Sequence, residues 1–183
     1  MSEDQAVKNE RNGQAAVLTE DQLNELLEVM QPSHRALFSI CYFTGCRVSE
    51  ALQLKASDIR ADRVVFRAST TKTKETREVK ISSKLEEILK SVDLPQSGYL
   101  FPGKTEGHLT RQAADAALRK ACDYIGLIGV STHSFRRTSI TRLHDAGVPL
   151  KTIQKRTGHA NLANLSLYIE VPQASVDAAG ELL

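Results

Sequence analysis

Apolar residues recur along most of this chain at the spacing that places them on one face of a helix. The first stripe follows Thr19, which together with Gln22 forms a capping-box pattern. Leu23, Leu26 and Leu27 come next, at the i, i+3 and i+4 positions of a core-facing stripe. Similar stripes predict further helices over residues 34–44, 48–54, 83–92, 110–125, 132–146, 149–157 and 161–170.

Residues 60–81 do not follow the helical spacing. Two segments rich in β-branched and aromatic residues, 64–66 and 79–81, flank a polar tip at 69–74, which predicts a β-hairpin. The predicted fold is therefore mainly α-helical with one small antiparallel β-sheet. The polar segment 1–18 that precedes it is expected to be a flexible arm or the remnant of a linker.

The 183 residues suit one domain with a substantial core, since 41% of them are hydrophobic. No apolar run approaches the ~20 residues of a membrane span, and the polar start lacks the apolar segment of a secretory signal. The three cysteines, Cys41, Cys46 and Cys122, lie in apolar patterns typical of reduced core thiols. Their spacing relative to the histidines fits no zinc motif. We therefore expect a cytoplasmic protein without a metal site.

The net charge of +2 hides a strong segregation of charge. Residues 60–80 hold seven basic and three acidic side chains, and residues 133–160 hold six basic and one acidic. These segments carry +4 and +5, so the rest of the chain carries −7. Such segregation predicts one basic surface that suits a polyanion, with binding that weakens steeply as salt is added.

His133 and Arg136 are three residues apart at the start of a predicted helix capped by Thr132, so they share one helix face. The unbonded N–H groups and the positive end of the helix dipole favour an anion at such a position. A phosphate site is one interpretation of this motif. A solvated first turn with a capping histidine is the other.

Arg47 also stands at the start of a predicted helix, two residues after Gly45, which allows a sharp turn. Glu50 follows one turn later and is placed to hold the guanidinium. The motif is therefore either an oriented anion-binding arginine or an ordinary surface ion pair.

The last two motifs have the same ambiguity. His159 follows the helix-ending Gly158, and Tyr168 comes nine residues after His159. His159 is either functional or a helix cap, and Tyr168 is either functional or a tyrosine of the core. Lys72 and Lys74 lie at the predicted hairpin tip. Basic side chains there are either solvated or grip a nucleic-acid backbone.

Taken in order, these motifs resemble the catalytic domain of the tyrosine recombinases, the phage integrase family with its Xer-type and lambda-integrase-like members. The shared pattern is Thr-Gly-x-Arg-x-x-Glu, a basic hairpin, His-x-x-Arg, Gly-His and a tyrosine nine residues later, and it runs from about Thr19 to Val171. The resemblance implies the fold of that catalytic domain over residues 19–171, after the arm at 1–18. It also implies a tail at 172–183 that packs in cis or on a neighbouring protomer.

The resemblance further implies a site-specific recombinase or integrase that cuts and rejoins DNA through a 3′-phosphotyrosine intermediate, with no metal or other cofactor. Its catalytic residues would be Arg47, Lys72 (with Lys74 as the alternative), His133, Arg136, His159 and the nucleophile Tyr168, supported by Glu50. Its DNA contacts would be Arg67, Lys74, Arg77, Arg137, Lys151, Lys155 and Arg156. Its partners would be double-stranded DNA and further copies of the chain, monomeric when free and assembled as a tetrameric synapse on DNA.

The residue types suit this chemistry. The guanidiniums of Arg47 and Arg136 can clamp the oxygens of a scissile phosphate, and the two histidines add donors. A tyrosine hydroxyl has a free pKa of about 10, so it needs nearby positive charge or a base to attack at neutral pH. Lys72 can then protonate the departing 5′ oxygen as a general acid.

Two features leave other interpretations open. Only 18 residues precede the first predicted helix, whereas these recombinases usually carry an N-terminal DNA-clamping domain, so the chain is either an isolated catalytic domain or a naturally short protein. Residues 144–158 resemble a helix-turn-helix with Gly147 in the turn, which would suit a non-catalytic DNA-binding regulator. A type IB topoisomerase, which shares the chemistry, is a further alternative.

Overall fold

The computed structural model describes residues 15–166 and 173–181, so Tyr168 lies outside the described residues. Its helices are α1 (Glu20–Glu28), α2 (Pro32–Thr44), α3 (Val48–Leu52), α4 (Ser83–Lys90), α5 (Arg111–Tyr124), α6 (Thr132–Asp145), α7 (Leu150–Thr157), α8 (Leu162–Ser166) and α9 (Gln173–Gly180). One antiparallel sheet in this part of the chain contains β1 (Ile59–Arg60), β2 (Arg63–Phe66) and β3 (Arg77–Lys80), in that order. This mainly helical fold with one small antiparallel sheet confirms the predicted class.

Most predicted helices agree with the observed ones to within about two residues, and three details differ. The sheet contains one strand more than the predicted hairpin, β1, whose two residues are too few to show an alternating pattern in the sequence. The N-cap of α6 is Ser131, whose hydroxyl accepts from the N–H of His133, whereas Thr132 is the first helical residue and is buried. The last predicted helix, 161–170, is described only over its first part, as α8.

Helix α2 forms the centre of the core and packs against α1, α3, α4, α5 and α6. Phe38 of α2 stacks on Phe135 of α6, with 4.7 Å between the ring centroids, and both rings are fully buried. A smaller apolar cluster joins α6, α7 and α8 through Ile140, Ile153 and Leu165. The end of α2, the start of α6 and the end of α7 are thereby held together, and the candidate site lies where they meet.

The packed body begins earlier than the predicted domain start at residue 19. Ala16 and Leu18, which the sequence analysis assigned to the flexible arm, are buried at 5% and 2% exposure. The N–H of Ala16 donates to the carbonyl oxygen of Gly129 (3.1 Å), and the N–H of Leu18 donates to Oγ1 of Thr138 (2.9 Å). Residues 16 and 18 therefore belong to the core, because their apolar side chains and their backbone donors both find partners beside α6.

The three cysteine thiols are buried in the main core, as their apolar sequence surroundings predicted. Within residues 15–166 and 173–181, none of the helices is long and apolar enough to cross a membrane. The same residues contain no cluster of three His, Cys, Asp or Glu side chains placed to hold a metal ion.

Candidate active site

Arg136 extends from α6 into the centre of the molecule, where only 2% of its surface is exposed. Its Nη1 donates to the carbonyl oxygens of Gly45 and Thr157, each at 2.7 Å. These carbonyls stand at the ends of α2 and α7, where the last C=O groups of a helix have no partner within the helix. The negative ends of two helix dipoles therefore stabilise this guanidinium.

Gly45 allows the end of α2 to come this close to α7. It adopts a left-handed conformation with φ 67°, which glycine adopts without strain. A Cβ at this position would also lie only 2.6 Å from Cγ2 of Thr157. Glycine at 45 therefore lets its carbonyl reach Arg136 while the Thr157 side chain remains buried beside it.

His159 lies next to Arg136 and is 7% exposed. Nη2 of Arg136 is 2.9 Å from Nε2 and 3.0 Å from Nδ1 of the ring, and Oγ1 of Thr157 is 2.7 Å from Nδ1. The pKa of the imidazole is lowered to about 3, mainly by burial and further by the positive charges of Arg136, Arg47 and Arg77. The ring is therefore neutral at physiological pH, and the guanidinium of Arg136 lies against it.

Arg47 occupies the N-cap position of α3 and is held by Glu50, which is 1% exposed. Oε1 of Glu50 accepts from Nη1 of Arg47 and Oε2 accepts from the N–H of Arg47, each at 3.1 Å. Oε2 also accepts from Nη2 of Arg77 at 3.1 Å. One buried carboxylate thus binds two guanidiniums, so the trio keeps a net charge of +1. Arg47 is its accessible member, with 26% of its side chain exposed.

Arg77 connects this trio to the Gly-His motif. Its guanidinium lies over the ring of Phe66, with 4.4 Å from Cζ to the ring centroid, and it fills the space that a Cβ on Gly158 would need. Gly158 ends α7 in a left-handed conformation with φ 70°. The sequence analysis assigned Arg77 to DNA, but its side chain is 9% exposed and fixes β3, α3 and the end of α7 to one another.

His133 lies in the first turn of α6 and is exposed. Its pKa is lowered by partial burial of the ring and further by the positive charges of Arg111, Arg136 and Arg47. Arg47 and Arg136 also lower the pKa of His159, so both imidazoles lie within the field of the same two guanidiniums. Arg111, on the separate helix α5, was missed by the sequence analysis because its place beside His133 arises from tertiary packing alone.

Lys72 and Lys74 lie in the loop between the 3₁₀ turn Ala68–Thr70 and β3, and both are exposed. Lys74 has a left-handed backbone with φ 55°. In the part of the chain that the structure describes, neither ammonium group forms an ion pair. The predicted general acid is therefore carried by an exposed loop rather than by the buried arginine cluster.

A cleft of about 990 Å³ separates β3 from α7. Basic side chains from both basic segments line it: Arg63, Arg77, Lys80, Lys151, Lys155 and Arg156. Gly158 and His159 line the same cleft, so it reaches the candidate site. The two segments that carry +4 and +5 thus border one surface, as the charge segregation predicted.

Three other arginines that the sequence analysis assigned to DNA are engaged within the fold. Nη2 of Arg67 pairs with Oδ2 of Asp58 at 3.1 Å, and Nη2 of Arg156 donates to the carbonyl oxygen of Phe43 at 2.7 Å. Arg137 is 8% exposed. These contacts give Arg67 and Arg156 a role in holding the fold, while the Arg67 side chain stays 35% exposed and Arg156 also lines the cleft. The lysines of α7, by contrast, are exposed.

Thr157 is a site residue that the sequence analysis did not single out. Its carbonyl binds Arg136, and its hydroxyl binds His159. The available signal was its position directly before the Gly-His pair, at the end of a helix, where a carbonyl has no partner within the helix.

A family model described as the phage integrase family matches residues 16–174. The chain belongs to the phage integrase family. Among its relatives in that family, the Sinorhizobium fredii protein y4qK is 37% identical over 167 residues, which cover 88% of this chain and 54% of that protein. The tyrosine recombinase XerC of Halalkalibacterium halodurans is 33% identical over 177 residues, covering 84% and 57%. The chain thus spans little more than half the length of these two relatives.

Solved structures of phage integrase relatives share the fold. The Tn1549 transposon integrase in complex with a circular intermediate DNA superposes with a TM-score of 0.76 at 18% identity, covering 92% of this chain and 66% of that one. The catalytic domain of the bacteriophage HP1 integrase gives a TM-score of 0.66 at 24% identity, covering 92% of this chain and 95% of that domain. The expected catalytic-domain fold is confirmed.

Proposed function

We propose that this phage integrase domain is a site-specific recombinase or integrase, which cuts and rejoins DNA strands through a covalent bond between Tyr168 and a 3′ phosphate. The observation that carries the proposal is the convergence of Arg47, Arg136 and His159 from the start of α3, from α6 and from beyond the end of α7. Two fixed guanidiniums beside a neutral imidazole suit a phosphodiester and the charge that it gains during reaction. The DNA bound to the Tn1549 integrase supports DNA as the substrate.

In the cleavage step the Tyr168 oxygen attacks phosphorus, and its proton passes to His133, whose lowered pKa leaves it neutral and able to accept a proton at neutral pH. The bond between phosphorus and the 5′ oxygen breaks, and Lys72 donates a proton to that oxygen. Arg47 and Arg136 stabilise the negative charge on the non-bridging oxygens. Such preorganised donors are each worth about 3–4 kcal/mol in other enzymes.

Rejoining is the reverse reaction, in which a 5′-hydroxyl attacks the phosphotyrosine bond and Tyr168 leaves. The energy of the broken phosphodiester is kept in that bond, so the scheme consumes no nucleotide and employs no metal. We propose that the basic cleft beside α7 holds the DNA backbone and that copies of the chain, monomeric when free, form a tetrameric synapse on DNA. The tail at 172–183 would pack in cis or on a neighbouring protomer within that synapse.

A non-catalytic regulator that reads DNA through residues 144–158 is not favoured. It would leave Arg47 and the buried pair of Arg136 and His159 without a task, although the buried charge of Arg136 is costly to maintain. A topoisomerase would use the same cluster, and the experiment below distinguishes it by strand exchange.

The test is covalent capture in EDTA. Duplexes nicked near the centre of a randomised sequence release a short strand on cleavage, which traps the enzyme on DNA. We expect wild type to give a protein–DNA adduct that survives SDS electrophoresis and Tyr168→Phe to give none while still binding DNA. Selective binding without any adduct would overturn the proposal in favour of a regulator, and plasmid relaxation without strand exchange would overturn it in favour of a topoisomerase.

A further inference from the structure

Arg77 lies in β3, and its side chain, 9% exposed, touches two of the elements that carry the candidate site. Nη2 donates to Oε2 of Glu50 at 3.1 Å, and the guanidinium fills the space beside Gly158. Arg77 therefore reaches the start of α3, which carries Arg47, and the turn after α7, which carries His159.

A buried arginine is a poor choice for this position if its only task is to hold the fold together. Taking a guanidinium out of water is costly unless its N–H groups find acceptors. Within the described residues, the buried Nε of Arg77 has no hydrogen-bond partner. Apolar side chains of similar volume often serve a buried position at least as well as an ion pair does. The charge of Arg77 therefore requires an explanation beyond packing.

The charge of Arg77 changes what Arg47 can offer to an anion. The buried carboxylate of Glu50 accepts from both arginines, through Oε1 from Nη1 of Arg47 and through Oε2 from Nη2 of Arg77. Without Arg77, Glu50 and Arg47 would form a neutral pair. With Arg77, the three groups keep a net charge of +1, and Arg47 is the member that reaches the surface. An anion bound at Arg47 is attracted by this excess charge, the more strongly because the pair beneath it is shielded from water.

We propose that Arg77 is a positioning residue, which shares the Glu50 carboxylate so that Arg47 is held in place and still presents a net positive charge to a phosphate. The inference rests on the proposed function, in which Arg47 binds the scissile phosphate. It gives Arg77 a task in the reaction that needs no contact with the reacting atoms. It also explains why one carboxylate is paired with two guanidiniums.

Substitutions at Arg77 separate its charge from its hydrogen bond. Arg77→Lys keeps the charge, whereas Arg77→Gln keeps an N–H donor for Glu50 but is neutral. Loss of a supporting partner costs about 10- to 100-fold at metal sites, and we expect a loss of that size in the single-turnover cleavage rate of Arg77→Gln on the nicked duplexes. Arg77→Lys should lose less, and equal losses in the two variants would overturn the role of the charge. Arg77→Met, which keeps an apolar chain over the Phe66 ring, replaces Arg77→Gln as the neutral variant if circular dichroism shows that Arg77→Gln does not fold.

A second substitution gives a readout that a merely structural role would not produce. The double variant Glu50→Gln/Arg77→Gln loses the carboxylate together with one guanidinium, so Arg47 again carries an uncompensated positive charge. The amide oxygen at position 50 can still accept a hydrogen bond from Arg47. The double variant should therefore cleave faster than Arg77→Gln alone. If Arg77 only held the fold together, the second substitution would slow cleavage further, and that result would overturn the inference.

A substrate without charge at the scissile position provides the matched control. Once the cleavage position is mapped from the adduct, an uncharged methylphosphonate is placed there. It brings no negative charge to Arg47, so wild type and Arg77→Gln should cleave it at equal rates. The same loss in Arg77→Gln as on the phosphodiester would show that Arg77 acts through the fold alone. If wild type forms no adduct with the phosphodiester, the proposed function fails and the role of Arg77 fails with it, whereas wild-type adducts with an unaffected Arg77→Gln overturn the role of Arg77 alone.

Discussion

The basic residues of this phage integrase family domain fall into two groups with opposite surroundings. The arginines of the site, Arg47, Arg77 and Arg136, lie 26%, 9% and 2% exposed and are fixed by a carboxylate, by helix-end carbonyls and by an imidazole. The lysines of the hairpin tip and of α7 are exposed and form no ion pair within the described residues. Arg77 of the first group and the α7 lysines of the second line the same cleft, but the two groups are held in different ways.

The difference follows from the chemistry of the two side chains. A guanidinium is planar and offers five donors in fixed directions, so it can be anchored on one side and still present donors on another. An ammonium group is strongly hydrated and flexible, and it binds a phosphate backbone chiefly by releasing counterions. The comparison therefore predicts that the arginines determine the rate of reaction and that the lysines of α7 determine the strength of binding.

The largest expected effect is the loss of cleavage in Arg136→Ala. We expect the single-turnover rate of adduct formation to fall by at least about 10³-fold, since removal of one oxyanion donor elsewhere costs 10² to 10³ and Arg136 offers several. DNA affinity, measured by fluorescence anisotropy, should change by less than about threefold. Arg119→Ala is the matched control, because Arg119 pairs with Asp115 on the exposed face of α5. Near wild-type cleavage by Arg136→Ala would contradict the assignment of this arginine.

The second effect is on stability and concerns the carboxylate that holds two of the arginines. Breaking a buried ion pair by removing one partner costs about 3–5 kcal/mol, and Glu50→Gln keeps one acceptor while Arg47 stays partly exposed. We expect the free energy of unfolding in urea to fall by about 2–3 kcal/mol. Glu86→Gln, which breaks the exposed pair with Lys90, should change it by less than about 0.5 kcal/mol. Equal losses in the two variants would mean that the arginines do not depend on Glu50.

The order of the site along the chain was readable in the sequence because each motif is local. Gly45, Arg47 and Glu50 lie within six residues, and His133 and Arg136 are one helical turn apart. The structure adds that Arg136 meets the ends of α2 and α7, which no local pattern could predict, because these contacts span 91 and 21 residues.

The sequence did not show which arginines bind atoms of the protein itself, or which single polar atoms meet in the site. Arg156 reads as part of a basic helix, yet its guanidinium binds a carbonyl oxygen 113 residues away. Charge at a position does not reveal whether the side chain turns inward, since helix ends elsewhere in the fold supply its acceptors. The contact between the Thr157 hydroxyl and His159 was equally hidden, because the residue types do not reveal which way the two side chains turn.

The third prediction concerns Lys72, which is an exception to the comparison. Its side chain is exposed like those of the α7 lysines, but we propose that it acts as the general acid. General acid catalysis contributes about 10²- to 10⁴-fold, so Lys72→Ala should slow cleavage by at least about 10²-fold. A substrate with sulfur in place of the bridging 5′ oxygen should restore the rate, because a thiolate leaves without a proton. Lys74→Ala is the control on the same loop. If the loss and the sulfur rescue appear in Lys74→Ala instead, Lys74 is the acid.

The smallest effect tests the other half of the comparison, the lysines of α7. Each phosphate contact contributes about 0.9 to the slope of log affinity against log salt. The double variant Lys151→Ala/Lys155→Ala should therefore lower that slope by about 2, while the cleavage rate at saturating protein stays within about twofold of wild type. The double variant Lys84→Ala/Lys90→Ala removes the same charge from α4 and should leave the slope unchanged. An unchanged slope in the α7 variant would place the DNA away from the cleft, because two exposed ammonium groups on its wall could not then be neutralising phosphates.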